Sequence, residues 1–149
     1  MSTEEQTRKR LAGFLRLARE NLEAAKILAP TGNRNAAYQC GQAAEQGLRA
    51  ILLSEGVHGG THHMLDRLVS LIPDENPLKV DFREIQHLAS YLTSYRYPTN
   101  VGRIKAAPKP EDLERDLDRT ESVLKSLADH FGVDLDDPDS FPDRTDPPR

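Results

Sequence analysis

The sequence has 149 residues, 30% of them charged and 37% hydrophobic, with a formal net charge of −4; this length suits one domain with its own core, burying roughly two-thirds of the unfolded surface. No stretch approaches the ~18 uninterrupted apolar residues of a membrane span, and the lead-in MSTEEQTRKR is not a signal-type apolar block, so a soluble cytoplasmic protein is predicted. Cys40, the single cysteine, excludes an internal disulfide or a thiolate metal cluster within one chain and reads as a small core residue.

From Arg10 onward, Leu11, Phe14, Leu15, Ala18, Leu22, Ala25 and Leu28 recur at three- and four-residue steps, the period of one helix face. This predicts a long first helix stopped by Pro30 and Gly32. The stretch NRNAAYQCGQAAEQGLRAILLSEG predicts a second helix closing at Gly56. Its inner stripe consists of small residues, which lets another helix approach closely. After GVHGG, Thr61 is expected to cap a short third helix, HHMLDRLVSLI, ending at Pro73. A fourth helix is predicted over roughly residues 81–95, with Phe82, Ile85, Leu88, Ala89 and Leu92 on one face. It must end near Tyr95 or Arg96, because Pro98 removes a donor and pushes Tyr97 out of the helical region. The last helix opens with Pro110 near its first position and carries Leu113, Leu117, Thr120, Leu124, Leu127 and Phe131 along one seam. No segment alternates with period two. The expected fold is therefore all-α, an antiparallel bundle of about five helices over residues 1–131.

Residues 132–149, GVDLDDPDSFPDRTDPPR, hold six aspartates against two arginines and four of the ten prolines. The rest of the chain keeps 18 of the 24 acids and 18 of the 20 bases and is neutral. Composition predicts a disordered acidic tail, and charge alone predicts that it masks the basic 94–110 loop in cis.

Four features bear on chemistry. His58, His62, His63 and His87 lack the spacing and acidic neighbours of a metal ligand set, because Gly59 and Gly60 interrupt the turn between the first two, so neither metal nor cofactor is expected. Glu45 and Arg49 lie one helical turn apart, either as an exposed pair or as a buried, specific one. The stretch SYRYPTNVGRIKAAPKP, residues 94–110, offers Arg96, Arg103, Lys105 and Lys109 without a carboxylate. Tyr91, Tyr95 and Tyr97 lie nearby as stacking surfaces, which suits a phosphate-bearing ligand as well as a solvated connector. Fingerprints of the usual enzyme classes, such as a Gly-rich phosphate loop or a nucleophile elbow, are absent.

Taken in order, AAYQCGQAAEQGLRAILLSEG, THHMLDRLVSLI and SYRYP ahead of a long final helix resemble the HEPN domain family, over roughly residues 10–131. Glu45, Arg49 and Gly56 match the family's second helix, His63, Leu65 and Leu68 its third, and Arg96, Tyr97 and Pro98 its Arg-Tyr-Pro signature. Many members are metal-independent ribonucleases with an arginine followed, four to six residues later, by a histidine. After Arg96 those three positions are Val101, Gly102 and Arg103, none able to exchange a proton near neutral pH, and Arg83 and His87 are one residue too close.

The resemblance therefore implies a non-catalytic member, related to toxin–antitoxin proteins and forming a homodimer. Its ligand would be a nucleotide or other phosphate carrier, or RNA, held at Arg96, Tyr97, Arg103 and Lys105, with Glu45, Arg49 and His63 as supporting residues. A nucleotidyltransferase partner is also implied. Two alternatives stand beside this: a ribonuclease toxin in which His63, His87 or His130 replaces the missing histidine, and a module for protein interaction only.

Overall fold

The computed structural model describes residues 1–60 and 64–149, so Thr61, His62 and His63 lie outside the described residues. The described chain is all-α: α1 Thr3–Leu28, α2 Asn35–Ser54, α3 Leu65–Ser70, α4 Lys79–Ile85, α5 Ala89–Ser94 and α6 Pro110–Phe131. No strand occurs among these residues, and none of their helices is long and apolar enough to cross a membrane.

Helix α1 begins a full turn or more before the apolar periodicity does. Ser2 caps it, its side-chain oxygen accepting from the Glu5 amide at 3.1 Å, and Glu4 and Glu5 complement the positive end of the helix. A 3₁₀ turn, Ala29–Thr31, and Gly32 at φ +72 reverse the chain into α2, so α1 and α2 pack as an antiparallel hairpin. Helix α6 starts at Pro110 as expected, beside the end of α1, and runs antiparallel to it and parallel to α2.

The small-residue stripe of α2 is consumed inside the bundle. Ala36, Ala37, Cys40, Gly41, Ala43, Ala44 and Gly47 are all buried. A Cβ on Gly41 would meet Leu92 at 2.9 Å, and one on Gly47 would meet Leu124 at 2.6 Å. The stripe therefore seats α5 and α6, and it does not supply a surface for a second copy. Cys40 packs 3.8 Å from the Thr120 hydroxyl, and burial pushes its thiol up to about 12, which makes it a core residue.

The predicted fourth helix is instead two helices. Ile85 leaves the helical region at φ −113 and ψ 5, and Gln86–Leu88 form a 3₁₀ turn between α4 and α5. No proline or glycine marks this break. It serves packing: Phe82, Ile85, Leu88, Tyr91 and Leu92 are all buried, while His87 is turned toward α6.

Residues 132–149 depart from the disorder that composition predicts. Gly132 closes α6 at φ +66, and the chain then lies along α1, with Val133, Pro142 and Pro148 buried and Leu135 and Phe141 packed against the core. Composition undercounts these anchors, because they are few but placed where α1 leaves apolar surface open.

Candidate functional site

The Arg-Tyr-Pro stretch follows the end of α5 and splits at once into an inner and an outer part. Tyr95 is 7% exposed, and its hydroxyl donates to the Ala106 carbonyl at 3.2 Å. Tyr91 is 8% exposed and meets the Tyr95 ring edge-on at 6.0 Å between centroids. Burial raises the phenol pKa of both. These two tyrosines anchor the helix end and offer no stacking face to a ligand, which corrects that part of the sequence expectation. Tyr97, by contrast, is 73% exposed.

The cations lie on the outer part. Arg96 is exposed, and its Nη2 donates at 3.4 Å to the Tyr38 hydroxyl on α2, which also accepts from Gln42 Nε2 at 3.0 Å. Residues 99–103 form a closed turn. The Thr99 amide donates to the Arg103 carbonyl at 2.8 Å, the Gly102 amide to the Thr99 carbonyl at 2.8 Å, and the Arg103 amide to the Thr99 hydroxyl at 3.0 Å. Gly102 holds φ +76, a conformation that a side chain would disfavour. Lys105 then lies with its Nζ 5.5 Å from the centre of the Tyr95 ring. Among the described residues, Arg96, Arg103 and Lys105 form no ion pair with a carboxylate. Chemically this is a donor-rich surface with one free aromatic ring and two guanidinium groups, suited to oxygen anions.

The supporting residues lie elsewhere. Glu45 is 7% exposed and Arg49 half-buried, so the exposed-pair reading is replaced by a buried carboxylate beside a partly buried guanidinium. Arg49 Nη1 donates to the Gly60 carbonyl at 3.3 Å, which ties it to the connection between α2 and α3. Tyr38, which receives Arg96, and Arg49 are separated by ~16 Å of helix rise. The fold thus brings Arg96 to Tyr38 and Gln42 and does not bring it to Arg49. His63 lies outside the described residues.

A second cluster joins α6 to the break between α4 and α5. Asp116 is 2% exposed; its Oδ1 lies 2.9 Å from His87 Nε2, and its Oδ2 accepts from the Tyr91 hydroxyl at 2.7 Å. The His87 side chain is half-exposed, so the ring is held at one nitrogen and open at the other. His130 faces the Asp146 carbonyl at 2.8 Å. Among the described residues no three His, Cys, Asp or Glu side chains converge as a metal site.

Tyr38, Gln42 and Asp116 escaped the sequence reading. Asp116 had a signal: it falls on the apolar seam of α6, three residues after Leu113 and four before Thr120, where an acid needs a buried partner. Tyr38 and Gln42 had none, because a polar pair early in α2 is unremarkable without its distant partner.

Comparison with known proteins agrees on family. The profile described as HEPN domain matches residues 12–130. Among solved structures, TT1696 from Thermus thermophilus is similar, with a TM-score of 0.66 and 26% identity over 81% of this chain and 98% of that one. No curated protein matches the sequence.

Proposed function

The chain belongs to the HEPN domain family, and from that premise we propose that it binds a nucleotide or other phosphate-bearing ligand through Arg96, Tyr97, Arg103 and Lys105 without cleaving it. The observation that carries this reading is the closed turn 99–103. It fixes Arg103 on an exposed connection that also bears Arg96, Lys105 and the free ring of Tyr97, with no carboxylate neutralising the three cations. Two guanidinium groups hold phosphate oxygens, and Tyr97 stacks a base. The positions where a nuclease of this family carries its histidine are spent on the turn, so the same stretch lacks a proton acceptor.

Exposed Val101 and Ile104 flank the cations, which supports docking of a protein partner, a nucleotidyltransferase by family resemblance, beside the ligand. Calorimetry with ATP tests the reading. Arg96→Ala and Arg103→Glu are each expected to weaken binding about tenfold at low salt, more for the charge reversal. Unchanged affinity in both variants, or no binding by the wild type at millimolar ATP, refutes it.

A second reading is supported by the Asp116–His87 contact. A half-exposed imidazole oriented by a buried carboxylate is equipped to take a proton from an RNA 2′-hydroxyl, with Arg83 one helical turn before it in sequence. Cleavage of unstructured RNA by the wild type, lost in His87→Ala, selects this reading; intact RNA after hours of incubation removes it.

A further inference from the structure

Segment 132–149 meets the helices at several separate points, each with a different chemistry. Asp136 pairs with Arg19 Nη2 at 2.7 Å. Phe141 lies under two cations, 5.5 Å from the Arg8 guanidinium carbon and 5.1 Å from Lys9 Nζ to the ring centroid. On either side of Phe141 the α1 guanidinium groups grip main chain: Arg16 Nη1 donates to the Ser140 carbonyl at 2.8 Å, and Arg8 Nη1 to the carbonyls of Pro142 and Asp143 at 3.3 and 3.0 Å. At the far end Arg149 lays both terminal nitrogens on Glu55, each at 2.7 Å, while Asn76 Nδ2 donates to the same carboxylate at 2.8 Å. With Arg149 seated the Glu55 side chain is 3% exposed; Glu55 caps the end of α2, and buried Asn76 reaches it from the connection between α3 and α4.

An acid, an aromatic ring and an arginine are thus read at fixed spacing, with main-chain carbonyls held between them; residues 134–140 are folded into two turns of their own, and residues 141–149 follow without such turn bonds. The segment is also an imperfect occupant. Arg8 Nε is buried and has no hydrogen-bond partner while the segment is seated, an unmet donor that release would return to water. The chain leaves α6 through Gly132 in the left-handed region.

We propose that the α1 face from Arg19 to Arg8, closed by Glu55 and Asn76, is a peptide-recognition groove, filled in cis by residues 134–149 and open in trans to the same segment of a second copy. The acidic segment and the basic row of α1 are complementary in charge, and the same contacts serve both arrangements. Reciprocal exchange then gives a symmetric dimer through a surface distinct from the 94–110 stretch. The motif read is Asp136, an aromatic five residues on and an arginine eight further on.

The test uses a fluorescein-labelled peptide of residues 133–149 and the full-length chain. Binding is expected to be at least tenfold tighter to a Phe141→Ala/Arg149→Ala chain, whose own segment is unseated, than to the wild type. Adding Glu55→Gln to that chain, or Phe141→Ala to the peptide, should remove most of the gain. On the wild-type chain, hydrogen exchange should show amides of 134–149 protected, and excess unlabelled peptide should abolish that protection. Equal affinity for wild type and unseated chain, indifference to Glu55→Gln, or a cis segment that exchanges at the same rate with and without peptide overturns the proposal.

Discussion

Two segments of this protein lack long secondary structure and are rich in proline and charge, yet they end in opposite states. The cationic connection between α5 and α6 turns Tyr97, Val101 and Ile104 outward, at 73, 80 and 64% exposure. The acidic segment after α6 buries Val133, Pro142 and Pro148 and seats Asp136 and Arg149 on partners in the helical bundle. The size of the net charge does not separate them, since the first holds four bases and no acid and the second six acids against two bases. What separates them is where their apolar residues and carbonyls meet complementary groups on the helices. A few anchors of the right chemistry outweigh an unfavourable composition.

Exchanging the anchors should break the contrast. Phe141→Ala should cost about 1–2 kcal/mol in urea denaturation, because a half-buried ring leaves the α1 face, whereas Tyr97→Ala should stay within about 0.5 kcal/mol. If Tyr97→Ala proves the more damaging, the assignment of seated and free segments is reversed. Each segment also contains a left-handed glycine, and substitution there should have a similar but separable effect. Gly132→Ala should cost about 1 kcal/mol and reduce exchange protection in residues 133–149. Gly102→Ala should strain the 99–103 turn by about the same amount and weaken ATP binding several-fold, with the acidic segment still protected.

Acid sharpens the comparison further. Arg149 holds the Glu55 carboxyl below its ordinary value, with Asn76 adding to the effect and burial opposing it. The folded value is depressed, so this stabilisation is fully present above the unfolded carboxylate value of about 4.3 and is lost as pH falls through the folded one. Protection near Arg149 should therefore hold down to about pH 4.3 and decline below it, a step that Glu55→Gln removes. The 94–110 stretch has no carboxylate and should show no corresponding step of its own. The smallest effect belongs to the exposed pair Arg19–Asp136, where Asp136→Asn should change stability by less than about 0.5 kcal/mol, as solvent screens it.

Much of the bundle was legible in the sequence because helices announce themselves locally. The apolar steps of α1 and α6, the Pro110 start and the small-residue face of α2 follow from spacing and side-chain size alone. The Arg-Tyr-Pro helix end was readable for the same reason, as was the absence of a histidine at positions 101–103. The break between α4 and α5 was not, because no glycine or proline encodes it and only the packing around Leu88 and Asp116 requires it. Asp116 itself was half-legible, an acid on an apolar seam whose partners His87 and Tyr91 lie 29 and 25 residues away in the chain.

The sequence by itself therefore determined the helical class, the helix ends marked by proline or glycine and the inventory of cations, all set by short-range periodicity and backbone chemistry. Only the tertiary structure decided which charges have partners. It placed Arg96 on Tyr38, Asp116 beneath His87 and Arg149 on Glu55, 94 residues apart. Such pairings depend on the relative placement of whole helices, and no local pattern along the chain records them.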